Sequence, residues 1–197
     1  MLYLVVSLSC MALIVLANVL FNQNYSWYVY VLAVAGAAMA AVIVDGLTAW
    51  IIRSLPEKLF RYETRLRRIT GRKLRLFKAL KVKKWKEKVP ELGMFTNFRK
   101  NKLADPRSPG YVARYILEAC YGIVIHYASV PASFLILLPA ALIMRDGLNI
   151  CLCVALPAAV VNAILIVLPA FVLESNLPAL VRVYERLVNK EQENRDE

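Results

Sequence analysis

The chain carries one histidine and four cysteines in 197 residues, and no two cysteines stand as Cys-x-x-Cys. That is too few ligands for a common zinc site, so no metal is expected. Cys10, Cys120, Cys151 and Cys153 all lie in or beside apolar runs, the setting of small buried hydrophobes rather than of a disulfide scaffold. There is no Gly-rich phosphate loop, no Gly-rich dinucleotide turn, no nucleophile elbow around a serine and no His-Glu-x-x-His, so no bound cofactor is expected either. Acidic side chains are scarce as well: 14 Asp and Glu stand against 25 Lys and Arg, a formal charge of +11. With 59% hydrophobic residues beside that charge, a soluble enzyme, a disordered tail and a secreted disulfide scaffold all fit poorly.

What the sequence does have is length of apolar run. Leu2–Phe21 has no charge, Trp27–Ile52 is interrupted only by Asp45, Ala119–Met144 contains His126, Pro131 and Pro139, and Leu148–Leu173 contains Asn162, Pro157 and Pro169. About 20 helical residues cross a hydrocarbon core, and a chain this short cannot bury four such runs in a soluble core. The expectation is an all-α integral membrane protein, one membrane domain over 1–197 with spans at about 2–21, 27–52, 119–144 and 148–173. The first run lacks a basic n-region and a small-x-small cleavage site, so it reads as a retained helix rather than a cleaved signal.

Charge sets the orientation. From Arg53 to Arg107 there are 19 basic and 5 acidic residues, a net of +14, while the remainder is net negative. The positive-inside rule puts the 53–110 segment in the cytoplasm of a multi-pass cell-membrane protein. Both termini, including a C-terminal tail over 176–197, then lie inside, and Asn22–Ser26 and Arg145–Asn149 lie outside. Tyr25–Tyr30 and Trp50 mark the two interfaces of the second span. Within the basic segment, Leu66, Ile69, Leu76, Phe77, Leu80 and Trp85 recur at roughly helical spacing among cations. This is the pattern of interfacial amphipathic helices, divided near Gly71, whose partners are the bilayer and its anionic lipids. Pro90-Glu91-Leu92-Gly93 reads as a helix stop and Asp105–Gly110 as a turn-rich loop, after which a helix restarts at about Tyr111 and runs into the third span. A basic patch also suits nucleic acid, but this one stands between two spans and has no nucleic-acid motif, so no nucleic-acid partner is expected.

Ionisable residues inside apolar runs are costly and therefore candidates for function. Four qualify: Asp45, Glu118, His126 and Glu174. On the topology above they converge toward the cytoplasmic interface, with His126 about 12 Å deeper than Glu118. Asp45 and Glu174 also fit as span-end carboxylates that are solvated or paired with arginine. Glu118, Gly122 and His126 fall on one i+4 ridge, with the outer two too far apart for a direct hydrogen bond. Gly122 would leave a notch in which a substrate meets both, and a neutral His126 could take a proton from a hydroxyl.

Three stretches resemble the glycosyl-diaponeurosporenoate acyltransferase family. They are Leu55-Pro56-Glu57-Lys58-Leu59-Phe60; Lys81-Val82-Lys83-Lys84-Trp85-Lys86-Glu87-Lys88-Val89-Pro90-Glu91 with Phe98, Lys100 and Leu103; and Ser108-Pro109-Gly110-Tyr111 leading to Arg114, Glu118, Cys120 and His126. Asn176-Leu177-Pro178-Ala179-Leu180 is a weaker echo. The resemblance implies transfer of a fatty-acyl group from an activated carrier to a hydroxyl of a membrane-embedded glycolipid, a glycosylated carotenoid in the family's name. It makes Glu118 and His126 the reactive pair and sets Lys83, Lys84, Trp85 and Lys86 near the carrier. Ile123 stands where a second Glu is expected, Leu173-Glu174-Ser175 stands where Gln-Arg-Tyr is expected, and Leu2–Phe21 looks like an addition to the family's core.

The residues suit that chemistry. Lysines around Trp85 match the phosphates of coenzyme A, which makes acyl-CoA the expected co-substrate. Asn162 and Asn176 are candidate contacts for the substrate and its developing oxyanion. Two other readings stand beside it: a non-catalytic membrane adaptor whose basic segment docks a partner protein or anionic lipid, and a different membrane transferase such as a methyltransferase. The oligomeric state is not legible in the sequence.

Overall fold

The computed structural model describes residues 2–22, 24–66, 68–89, 104–143 and 147–196, and among them there is helix and no strand. Two long helices come first, α1 (Leu2–Phe21) and α2 (Trp27–Ser54). The basic segment follows as short pieces: a 3-10 turn at Glu57–Phe60, α3 (Tyr62–Leu66), α4 (Gly71–Ala79), α5 (Val82–Trp85) and a second 3-10 turn at Lys86–Lys88. Next, α6 (Pro109–Ala132) runs through a 3-10 turn, Ser133–Ile136, into α7 (Leu137–Ile143). Finally α8 (Gly147–Ile150) runs through a π-helical stretch, Cys151–Ala155, into α9 (Leu156–Asp196).

Three of these stretches are long and apolar enough to cross a membrane: Trp27–Ser54, Pro109–Leu142 and Gly147–Arg195. The first apolar run is a helix too, and counts as the shorter apolar segment Val5–Phe21. Many large apolar side chains on these helices point outward, among them Leu13, Leu32, Val42 and Leu142. Surfaces of that kind belong in lipid rather than water. The chain is a membrane protein.

The helix ends differ from the sequence-based spans. The helix that carries the third span begins at Pro109, close to the restart expected near Tyr111, because Ser108 caps it: its Oγ accepts from Tyr111 N at 3.3 Å, and proline fits the first helical position. The fourth does not stop near Leu173 but continues through Pro178 to Asp196, so the expected tail is largely helix. Gly71 does separate helices, as the first residue of α4, which Thr70 caps by accepting from Lys73 N. Between α4 and α5, Lys81 adopts a left-handed conformation (φ 52°, ψ 38°), which costs a non-glycine residue about 1 kcal/mol. Pro90–Gly93, Phe98, Lys100, Leu103 and Arg145, all used in the sequence reading, lie outside the described residues.

By internal packing the chain divides into two compact units, Met1–Ile51 with Ile125–Val167, and Ile52–Val124 with Leu168–Glu197. In the first, Tyr30, Val34, Ile150 and Val154 form one core, against which Met11, Ile14, Val15 and Val19 of α1 pack. A second core there is built from small residues, Ala37, Ala41 and Ala159 around Ile136, the composition that lets membrane helices approach closely. Asn18 ties α1 in place. Its side-chain amide donates to Cys153 O at 2.8 Å, a carbonyl that Pro157, having no N–H, cannot serve in an α-helical register. In the second unit, Phe77, Val82 and Val89 of the basic segment bury themselves against Val172 of α9, with Trp85, Leu168 and Phe171 around them. Burying side chains of this size contributes about 1.5–3 kcal/mol each, which holds a strongly cationic segment in a defined place.

Candidate active site

Glu118, the carboxylate singled out in the sequence, sits in the second unit at the middle of a charged chain. Its Oε2 accepts from Arg53 Nη2 at 2.9 Å and its Oε1 from Arg114 Nη2 at 3.0 Å. Arg114 also reaches Glu57 through Nη1 at 3.1 Å. Arg114 lies one helical turn before Glu118 on α6, a spacing that places the two side chains side by side. The Glu118 side chain is only 16% exposed, whereas the arginines are about half exposed. Each pair is therefore worth no more than about 1 kcal/mol. Chemically, both oxygens of Glu118 are engaged by guanidinium donors, so its evident work is to hold Arg53 and Arg114.

Around this chain the packing is tight. Arg53 also lies over the Tyr121 ring, which packs against Phe60 with ring centroids 4.3 Å apart. Cys120 is fully buried. The notch expected at Gly122 is filled: a Cβ there would lie 2.7 Å from Leu173 Cδ1, so the glycine admits a leucine of α9 rather than a substrate. Glu174, 3% exposed, pairs with Lys73 at 2.7 Å, which fastens α4 to α9. Of the donor-site candidates, Lys83 and Lys84 are exposed and Lys86 is half-buried. Trp85 is used by the fold, since its Nε1 donates to Leu80 O at 2.8 Å while its ring joins the core with Val172. Asn176 is half-buried on α9.

His126 belongs to the first unit, as does a polar chain that the sequence reading did not assemble. Asn162 donates to Ser133 Oγ at 3.0 Å and, at 3.4 Å, to Asp45 Oδ2. Ser133 in turn donates to Ser129 O at 2.8 Å. His126 is half-buried on α6 and forms no hydrogen bond or ion pair with another described residue. It shares a helical face with Ser129 and Ser133, at i+3 and i+7. Among the described residues no group of three or more His, Cys, Asp or Glu is placed to hold a metal ion.

Arg53 and Lys73 were missed from sequence because nothing distinguishes them among so many cations, and Arg114 stood only in a motif, with no role given to it. The i, i+4 spacing of Arg114 and Glu118 was the one usable signal.

A model of the glycosyl-4,4'-diaponeurosporenoate acyltransferase family matches residues 56–186, about two thirds of the chain. The chain belongs to that family. The match takes in Lys83, Lys84, Trp85, Lys86, Glu118, Gly122, His126 and Asn176. It leaves out α1 and α2, and with them Asp45 and Arg53. No curated protein and no solved structure matches the chain.

Proposed function

We propose that this protein is an acyltransferase that moves a fatty-acyl group from acyl-CoA to a hydroxyl of a glycosylated carotenoid or another glycolipid at the cytoplasmic face of the cell membrane. Membership of the acyltransferase family over residues 56–186 carries the reading. The chain crosses four times, with α1 as the first span, and both termini are cytoplasmic; the +14 charge between Arg53 and Arg107 supports that orientation.

The roles follow from chemistry. His126 accepts the proton of the acceptor hydroxyl as its oxygen attacks the thioester carbonyl, and a tetrahedral oxyanion forms. Collapse breaks the C–S bond, gives the ester, and sends the proton from His126 to the departing thiolate. A histidine free of other partners is suited to this exchange. Lys83, Lys84 and Lys86 attract the phosphates of the donor from the cytosol. Glu118 acts by positioning Arg53 and Arg114, and Asn176 contacts the acceptor. The bilayer supplies the acceptor already dissolved.

The test is untargeted lipid mass spectrometry of cells lacking the gene, complemented by wild type or by His126→Ala. A glycolipid or pigment should lose one fatty-acyl mass in the deletion, be restored by wild type, and be restored at least ~100-fold less well by His126→Ala. Equal rescue by the variant, with the lipid profile otherwise unaltered, would replace this reading with that of a non-catalytic adaptor.

A further inference from the structure

Within the second unit, the stacked pair Phe60 and Tyr121 carries two guanidinium groups, Arg53 at 5.6 Å from the Tyr121 centroid and Arg65 at 5.9 Å from that of Phe60. The two arginines differ in what else they do. Arg53 is paired with Glu118. Arg65, on α3, makes no hydrogen bond or ion pair with any described residue, and its Nε is buried without a partner. A guanidinium offers five donors and no acceptor, and a partly buried cation without an anion is unfavourable.

The surroundings are short of acceptors too. Burial first, and then the neighbouring Arg68, push the Arg65 guanidinium below its ordinary value, while Cys120 and Glu174 act the other way. Glu174 is already committed to Lys73. Along the sequence, Arg61, Arg65, Arg67, Arg68, Arg72 and Lys73 are accompanied only by Glu63. Such a surplus suits a multiply charged anion better than a single carboxylate. The Nη edge of Arg65 is not enclosed as Nε is, and the cation–π contact with Phe60 restrains the guanidinium before any ligand arrives.

We infer that Arg65 is a phosphate-binding site, in which the Nη edge donates to two phosphate oxygens while the guanidinium rests over the Phe60 ring. The phosphate belongs either to the nucleotide handle of the acyl donor or to a membrane phospholipid headgroup. Only the first owner rests on the acyltransferase reading.

The experiment uses the full chain in nanodiscs and two probes. In phosphatidylcholine discs, coenzyme A is titrated calorimetrically; in a second arm, the fraction of phosphatidylglycerol is raised and the midpoint of thermal unfolding is followed. Arg65→Met removes the charge, Arg65→Lys keeps it but loses the fork, and Arg75→Met is an exposed-cation control on α4. Weakening of coenzyme A binding by about tenfold or more in Arg65→Met, severalfold in Arg65→Lys and little in Arg75→Met assigns the phosphate to the donor. The same ranking confined to the phosphatidylglycerol arm assigns it to lipid. Wild-type behaviour of Arg65→Met in both arms overturns the site. If Arg65→Met does not fold, Arg65→Lys decides: wild-type binding in both arms overturns it equally. Coenzyme A carries no acyl group, so these arms read the site whether or not acyl transfer occurs.

Discussion

At Glu118 both carboxylate oxygens are taken, one by Arg53 and one by Arg114. Replacing it with glutamine leaves one acceptor and a misplaced donor between two arginines. Glu118→Gln should lower stability by about 1–2 kcal/mol, read as a lower unfolding midpoint in detergent, and should leave measurable activity. A residue that served as the general base would behave the other way, losing ~100-fold or more in rate at unchanged stability. Gly122 makes a second case. Gly122→Ala displaces only the flexible end of Leu173 while alanine favours the helix, so stability should change by no more than about 1 kcal/mol, and the loss in the double variant with Leu173→Ala should be smaller than the sum of the two single effects. A glycine kept open for substrate would show no such coupling. These positions also mark what the sequence made legible. His126 and Glu118 stand out as candidates because an ionisable group in an apolar helix contrasts with its neighbours. The side chains that engage Glu118, and the leucine that closes the notch, do not, because both depend on which helix faces which.

Among the elements, the long helices were legible from apolar run length alone, while their ends were not. Pro169, Glu174 and Pro178 all argue for a stop near Leu173, yet α9 passes all three. Neighbouring elements make that tolerable, since Glu174 is neutralised by Lys73 and Phe171 and Val172 are covered by the basic segment. The same dependence appears at α1, which lies outside the matched family segment and is joined to the π-helical stretch by Asn18. Asn22 adds a second tie, donating to Asn149 Oδ1 at 2.7 Å. Asn18→Leu should cost about 1 kcal/mol, measurable by denaturant titration in mixed micelles, since it removes the side-chain donor to Cys153 O inside an apolar setting. An unchanged midpoint would mean that water or lipid serves that carbonyl instead.

For the molecule as a whole, one sequence combines two populations of residues that seldom share a small chain, and keeps them apart. The apolar helices give it the membrane as solvent, and the segment from Arg53 to Arg107 gives it a cationic face. Attraction of a polyanionic donor to such a face is long-ranged and screened by salt. Reversing Lys83, Lys84 and Lys86 to glutamate should raise KM for acyl-CoA by about tenfold or more at low ionic strength with kcat little changed, and the gap should narrow as salt is added. A loss of kcat that ignores salt would show that these lysines do not act by attraction.

Trp85 offers a practical consequence. The chain has three tryptophans, and two of them, Trp27 and Trp50, are strongly exposed on α2. Brominated acyl chains should dim those two, whereas the Trp85 indole, bonded to Leu80 O and packed beside Val172, sits in the basic segment. With Trp27 and Trp50 changed to phenylalanine, the remaining emission becomes an optical gauge of whether that segment is seated on α9. A red shift and new sensitivity to aqueous iodide would time its release during turnover.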